Sequence, residues 1–230
     1  MTEVVDTTAA LEAPVSADAI WQSATKVCRI TDFLPAPTAE GLLQRAVSAE
    51  RDDLLPARVR GNQLDTRTRS SLAHRGFSAP ELLTAIDAVV GQVEKVLGVS
   101  CAGTRPAFTL NVHNDGDFYR AHQDVSPHDV ASGLAAAKRV VTFVYYLHRT
   151  PAPFTGGALR MYDSALPLNV HHNGLRREDC TYRDYAPDHN SVVFFLPSAL
   201  HEVMPVSCPG GDHANSRFAI NGWLCRTDAS

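Results

Sequence analysis

The chain has 230 residues, 44% of them hydrophobic, and a formal net charge of −4. That length suits one domain with a full core, and the acidic balance argues against a dedicated nucleic-acid binder. Five cysteines without a CxxC pair exclude a zinc knuckle and a disulfide framework, and no apolar run is long enough to span a bilayer.

Residues 1–20 carry acids but no Lys or Arg, which predicts a mobile leader without the basic start of a secretory signal. Residues 21–230 then form a single domain, expected in a reducing, cytoplasmic setting. A short apolar run from Val27 to Phe33 reads as an entering strand. Thr38 is placed to cap a helix over about 38–51, with Leu42, Leu43, Ala46 and Val47 at helical spacing. Arg51, Arg58, Arg60, Arg67, Arg69 and Arg75 follow in a stretch with little hydrophobic pattern. The plain reading there is a solvated loop; the sharper one is a substrate-facing loop with affinity for an acidic partner. Ser78-Ala-Pro-Glu81 reads as a capping box opening a helix over about 79–97. Its apolar stripe of Leu82, Leu83, Ile86, Val89, Val93 and Leu97 needs a sheet to pack on, and Gly98 stops it.

Strand patterns dominate from there. Ala107–His113 and Phe118–His122 flank Asn114-Asp-Gly116, a hairpin signal that makes the second strand the return of the first. Arg139–Leu147, Ala158–Tyr162, Val192–Leu196 and Phe218–Leu224 are rich in β-branched and aromatic residues. The polar stretch 162–190 between them reads as a lid or insertion. The fold class is therefore mainly β with flanking helices, the helices packed on an antiparallel sandwich or barrel whose strands span about 107–224.

His113-Asn-Asp115 and His122-Gln-Asp124 both have the His-x-Asp spacing that places two donors on one side of a strand. Asp115-Gly116 is what a tight turn needs, so Asp115 is read as a turn residue and His122 with Asp124 as the ligand pair. The third ligand must come from elsewhere, and His201, after the buried strand Val192–Leu196, is the candidate. His171, His172, His189 and His213 lie in polar loop surroundings, while His74, His128 and His148 have no partner pattern. Two imidazoles and a carboxylate hold iron(II) on one face and leave the opposite face open. Arg217, 16 positions after His201, opens a strand on which Ala219, Asn221 and Trp223 share its face. A buried arginine needs a counter-charge, either an acidic side chain or a dicarboxylate ligand. Thr142 and Tyr146, four apart on one strand, can offer hydroxyls to the same carboxylate.

Taken in order, these pieces resemble the prolyl-4-hydroxylase-like branch of the 2-oxoglutarate/iron(II) dioxygenases. Gly116-Asp-Phe-Tyr119-x-x-His122-x-Asp124, Val141–Leu147, Gly156-Gly-Ala-Leu-Arg160, Phe195-Leu-Pro-Ser-x-x-x-His201 and Arg217-Phe-Ala-Ile-Asn-Gly-Trp223 carry the resemblance, over about residues 107–224. It implies a double-stranded β-helix (jelly-roll) core packed by N-terminal helices. His122, Asp124 and His201 would be iron ligands, Arg217 and Tyr146 would take the distal carboxylate of 2-oxoglutarate, and Thr142 is a further candidate there. His113 stands where many relatives have a tyrosine, so it would line the cofactor pocket.

The cofactors so implied are Fe(II), 2-oxoglutarate as cosubstrate, and ascorbate as an accessory. The partners are 2-oxoglutarate, dioxygen and a peptide, protein or small-molecule substrate, with no nucleic acid and no membrane. The expected reaction is hydroxylation of an unactivated C–H bond, prolyl-4-hydroxylase-like on a peptide or acting on a free amino acid or natural-product intermediate. Two rival readings stay open on the residues alone: a zinc hydrolase using a metal-bound water, and a non-catalytic jelly-roll binding module.

Overall fold

The computed structural model describes residues 20–49, 53–59, 63–167 and 180–227. The expected leader apart from Ile20, Arg51, Arg60, and the part of the expected insertion that holds His171 and His172 lie outside the described residues. Strands β1 (Ile20–Ser23) and β2 (Val27–Ile30) lead into helix α1 (Ala36–Val47). Three short strands, β3 (Leu55–Pro56), β4 (Arg69–Ser70) and β5 (Leu72–His74), then order the arginine-rich segment. After α2 (Pro80–Leu97) come β6 (Thr104–His113), β7 (Phe118–His122), α3 (Pro127–Ala131), β8 (Arg139–Leu147), β9 (Thr155–Gly156), β10 (Leu159–Tyr162) and β11 (Ser164–Pro167). The last strands are β12 (Tyr182–Tyr185), β13 (Ser191–Phe195), β14 (His201–Val203), β15 (Val206–Ser207) and β16 (Arg217–Arg226).

The architecture is mainly β and antiparallel. A larger sheet has the order β2-β13-β8-β16-β6-β5-β3, and a smaller one the order β12-β10-β14-β7-β4. Strand alternation explains how the larger sheet serves two layers. Phe218, Ile220 and Leu224 of β16, with Phe143, Tyr145 and Leu147 of β8, join Leu42 of α1 and Leu82, Ile86 and Val93 of α2 in one buried cluster. The opposite face contributes Val144, Tyr146, Val193, Phe195 and Ala219 to a second cluster with Leu159 and Met161 of the smaller sheet. Each fully buried side chain of this size contributes about 2 kcal/mol.

Three local expectations need correction. α1 starts at Ala36 behind Pro35 with no side-chain cap and ends at Val47, so Thr38 lies inside its first turn. A proline in that turn leaves one orphan donor fewer to cap. In α2 the N-cap is Ala79 rather than Ser78, and no capping box forms. The Glu81 carboxylate is drawn instead to Arg45 of α1. Gly98 does end this helix, in the left-handed region at φ 73°.

The third correction positions the site. β6 and β7 do not form a hairpin: β6 pairs with β16 and β5 in the larger sheet, β7 with β14 and β4 in the smaller. Asn114–Asp117 is a corner that carries the chain across. Asp117 accepts from the Asn114 N–H at 2.8 Å, and Asp115 accepts from the Cys208 N–H at 2.7 Å. Asp115 is thus a turn residue, spent on holding the corner.

Candidate metal and cosubstrate site

β7 and β14 lie side by side, with His122 and His201 directly opposite one another. Their ring centroids are 4.2 Å apart. Asp124 follows the end of β7, and one donor atom from each of the three residues lies within 4.8 Å of the others. The hydrogen bonds around the trio decide which atoms face inward. His122 Nδ1 is 2.8 Å from the Arg120 carbonyl, and His201 Nδ1 is 2.9 Å from the Ala199 carbonyl. A carbonyl only accepts, so each Nδ1 carries the proton and each Nε2 keeps its lone pair. Asp124 Oδ2 accepts from Thr142 Oγ1 at 2.7 Å and from Trp223 Nε1 at 2.9 Å. Its Oδ1 stays open, 3.9 Å from His122 Nε2.

Electrostatics keeps this donor set ready for a cation. Burial, helped by the neighbouring His201, pushes the His122 imidazole down to about 3, so it is neutral at physiological pH. Burial works against ionised Asp124, but the two imidazoles and the two hydrogen bonds win and hold it below its ordinary range. Outer hydrogen bonds of this kind orient ligands and raise their basicity.

The second half of the site lies on the larger sheet. Arg217 opens β16 with 1% of its surface exposed. Its Nη1 lies 3.4 Å from His113 Nδ1 on the facing strand, and its Cζ sits 4.9 Å over the Tyr146 ring. Arg217 Nε and Nη2, the Tyr146 hydroxyl and His113 Nε2 are buried without a hydrogen-bond partner. Burial, with Arg217 and Arg69 nearby, holds the His113 imidazole well below its ordinary value. Neutral His113 therefore accepts from Arg217 at Nδ1 and carries its proton at Nε2. Each such orphaned group costs about 1–3 kcal/mol, more for a charged one, so a ligand that satisfies them binds with that gain. The pattern of one cation and two neutral donors fits a carboxylate.

Gly157 makes the arginine's position possible. A Cβ there would lie 2.6 Å from Arg217 Cδ, and the residue's φ of +66° already disfavours any side chain.

Both halves open into one cavity of about 440 Å³, lined by His122, Asp124, His201, Thr142, Arg217 and Asn221 among others. All the residues singled out in the sequence for metal and cosubstrate thus gather on the inner faces of the two sheets. Thr142 lines the cavity, but its hydroxyl is engaged by Asp124 rather than open to a carboxylate. Sequence reasoning missed Trp223 as a partner of Asp124, although its place on the Arg217 face was a signal. It also missed Tyr119, whose ring stacks on His122 at 3.6 Å and 18°. Of the arginine-rich segment, Arg58, Arg69 and Arg75 line the cavity, whereas the Arg67 side chain is 95% exposed.

Comparison with known proteins agrees with this geometry. Residues 108–225 match the model of the 2OG-Fe(II) oxygenase superfamily. An uncharacterized PKHD-type hydroxylase of Synechocystis is 40% identical over 115 residues, which cover 50% of this chain and 34% of that protein. The chain thus matches about a third of that relative's length. A crystal structure of a Pseudomonas putida prolyl-4-hydroxylase superposes with a TM-score of 0.60 at 22% identity, covering 88% of this chain and 94% of the other. A Trichoplax adhaerens prolyl hydroxylase, solved with a hypoxia inducible factor peptide fragment, gives 0.62 at 18% identity over 87% and 84% of the two chains. At these identities the two structures speak for a shared fold. Among the described residues no helix is long and apolar enough to cross a membrane. On the match over half its length, the chain belongs to the 2OG-Fe(II) oxygenase superfamily.

Proposed function

We propose that the chain is an iron(II)- and 2-oxoglutarate-dependent dioxygenase that hydroxylates an unactivated C–H bond. The observation that carries this reading is a three-donor metal group and an orphaned buried guanidinium in one cavity. When bound, iron(II) and 2-oxoglutarate let dioxygen be split between succinate, formed with loss of carbon dioxide, and the hydroxyl group of the product. His122 Nε2, His201 Nε2 and Asp124 Oδ1 would hold the metal. Arg217, with the Tyr146 hydroxyl and His113 Nε2–H beside it, would hold the distal carboxylate of 2-oxoglutarate. Val144, Leu159 and Val203 supply apolar wall between these poles and keep water out. The jelly-roll description, with α1 and α2 backing the larger sheet, belongs to the same reading and is supported by the shared buried cluster.

A zinc hydrolase would need the trio and nothing of Arg217, Tyr146 or His113, and a binding module would need none of the ligand orientation by Thr142 and Trp223. The prolyl hydroxylases of similar fold make peptidyl proline one substrate to test, alongside free amino acids and other small molecules. A cytoplasmic setting fits the absence of disulfides at Cys28, Cys101, Cys208 and Cys225.

The deciding experiment is an anaerobic titration of metal-free protein with iron(II) and 2-oxoglutarate, with His201→Ala alongside. A weak visible charge-transfer band in the parent and none in the variant is expected. No band at saturating iron would sink the oxygenase reading.

A further inference from the structure

The cavity carries more positive charge than the metal and cosubstrate use. Among the described residues that line it, Arg69, Arg139 and Arg217 face a single carboxylate, Asp124. Iron(II) and the 2-oxoglutarate dianion cancel each other, so loading leaves this excess unchanged. Arg69 and Arg139 decide the matter, because neither enters an ion pair among the described residues. Arg139 donates to the Asp124 backbone carbonyl at 2.8 Å and lies 3.7 Å over the Trp223 ring. Arg69 reaches the cavity from β4, the edge strand beside β7. It donates from Nε to Ser71 Oγ at 3.0 Å, from Nη1 to the Arg58 carbonyl at 3.4 Å and from Nη2 to Asn111 Oδ1.

These three acceptors are all neutral and take three of the five N–H groups, the Tyr119 side chain is a further hydrogen-bonding neighbour, and the charge of Asp124 reaches the guanidinium from across the cavity. A carboxylate is the acceptor that a guanidinium with N–H groups to spare binds most strongly. The guanidinium carbon also lies 4.6 Å from the centre of the Tyr119 ring, which stacks on the His122 ring. Arg69 is therefore a preorganised cation one aromatic ring removed from a metal ligand. Both carboxylates of 2-oxoglutarate already have takers, one at the metal and one at Arg217, so neither accounts for Arg69.

We propose that the substrate hydroxylated here carries a carboxylate of its own, held as an ion pair by Arg69. The inference rests on the oxygenase reading above and narrows its substrate class to carboxylate-bearing molecules that fit beside 2-oxoglutarate in the cavity. Arg69 is then a specificity-determining residue for the reaction.

The test uses the full chain, loaded anaerobically with iron(II) and saturating 2-oxoglutarate, and butyrate as probe with butyramide as its neutral twin. Paramagnetic broadening of the probe's proton resonances reports binding near the metal, independently of turnover. Butyrate should be broadened and butyramide not. Arg69→Gln should keep the charge-transfer band and weaken butyrate binding by about tenfold or more, the effect of losing a charged hydrogen-bonded pair. Arg69→Lys should fall between the two. N-acetylglutamate amide, as a further arm, tells whether an acidic side chain on a peptide enters as a free acid does. Equal broadening of butyrate and butyramide in the parent overturns the proposal, whatever the variants do. So does unchanged butyrate binding in Arg69→Gln, or loss of its charge-transfer band, which would assign Arg69 to the cosubstrate. An absent band in the parent fails the oxygenase reading itself, and the two failures are thereby told apart.

Discussion

The two ends of the cavity solve opposite problems. At the smaller sheet, the imidazoles of His122 and His201 are tied to backbone carbonyls, and Asp124 is tied to Thr142 and Trp223. Every polar atom there has a partner except the three aimed at a common point. At the larger sheet, Arg217, Tyr146 and His113 keep buried donors with no partner. The metal end is prepared by its surroundings, so little reorganises on binding. The larger-sheet end carries unmet hydrogen-bonding capacity that a ligand would relieve.

Breaking the prepared end has the largest expected effect. Asp124→Ala or His201→Ala should weaken iron(II) binding by more than about a hundredfold, beyond the range of outer hydrogen-bonding changes. Equilibrium dialysis with iron(II) checks this, and retention of iron by either variant contradicts the ligand assignment. At the other end, Arg217→Leu should lower 2-oxoglutarate affinity by about a hundredfold, the loss of a charged bidentate pair. The same variant, freed of an uncompensated buried charge, should melt in its ligand-free form no lower than the parent. A drop of several degrees would show that Arg217 is a structural residue, and the contrast between the two ends would collapse.

A finer probe is Trp223→Phe, which removes one of two hydrogen bonds to Asp124 and keeps the ring. Iron(II) affinity should fall about tenfold with 2-oxoglutarate affinity at Arg217 unaltered. Equal losses for both ligands would mean that the two ends are not separable. The smallest effect concerns pH. His122 and His113 are held neutral below the ordinary imidazole value of 6.5, so the unfolded chain binds more protons as pH falls. Stability of the metal-free protein should therefore decline from about pH 6.5 downward, and Asp124 adds a further loss as it protonates in the fold. A denaturation midpoint that stays flat from pH 7 to 4 would contradict the buried, neutral assignment.

How legible all this was in the sequence depends on range. That His122 and Asp124 face one common point was readable because strand alternation is local, and the motif spacing brought His201 to them. The two faces of β16 followed from the same period, and Tyr145 and Tyr146 fall one on each face as alternation requires. What failed was long-range pairing. Asn114-Asp-Gly116 looks the same whether the next strand returns beside β6 or crosses to another sheet, and only the pairing of β7 with β14 decides it. Arg69 could not be told from a solvated arginine, because β4 has two residues and gains its meaning from lying beside β7. Thr142 was placed on the cavity face, but a face says where a hydroxyl points and not which acceptor reaches it, and here that acceptor is Asp124. The cap of α2 was misread for a similar reason: Glu81, the far half of the expected box, is taken by Arg45.

The paired hydrogen bonds on Asp124 have a consequence for denticity. With Oδ2 occupied by Thr142 and Trp223, the carboxylate can lend an ion one oxygen and no more. If His122, Asp124 and His201 hold iron(II), each would give one atom, and room would be left at the metal for 2-oxoglutarate and dioxygen. Loss of both bonds would let the carboxylate turn and offer its second oxygen as well. Thr142 and Trp223 would thus act less as supports for a ligand than as keepers of room for the reactants.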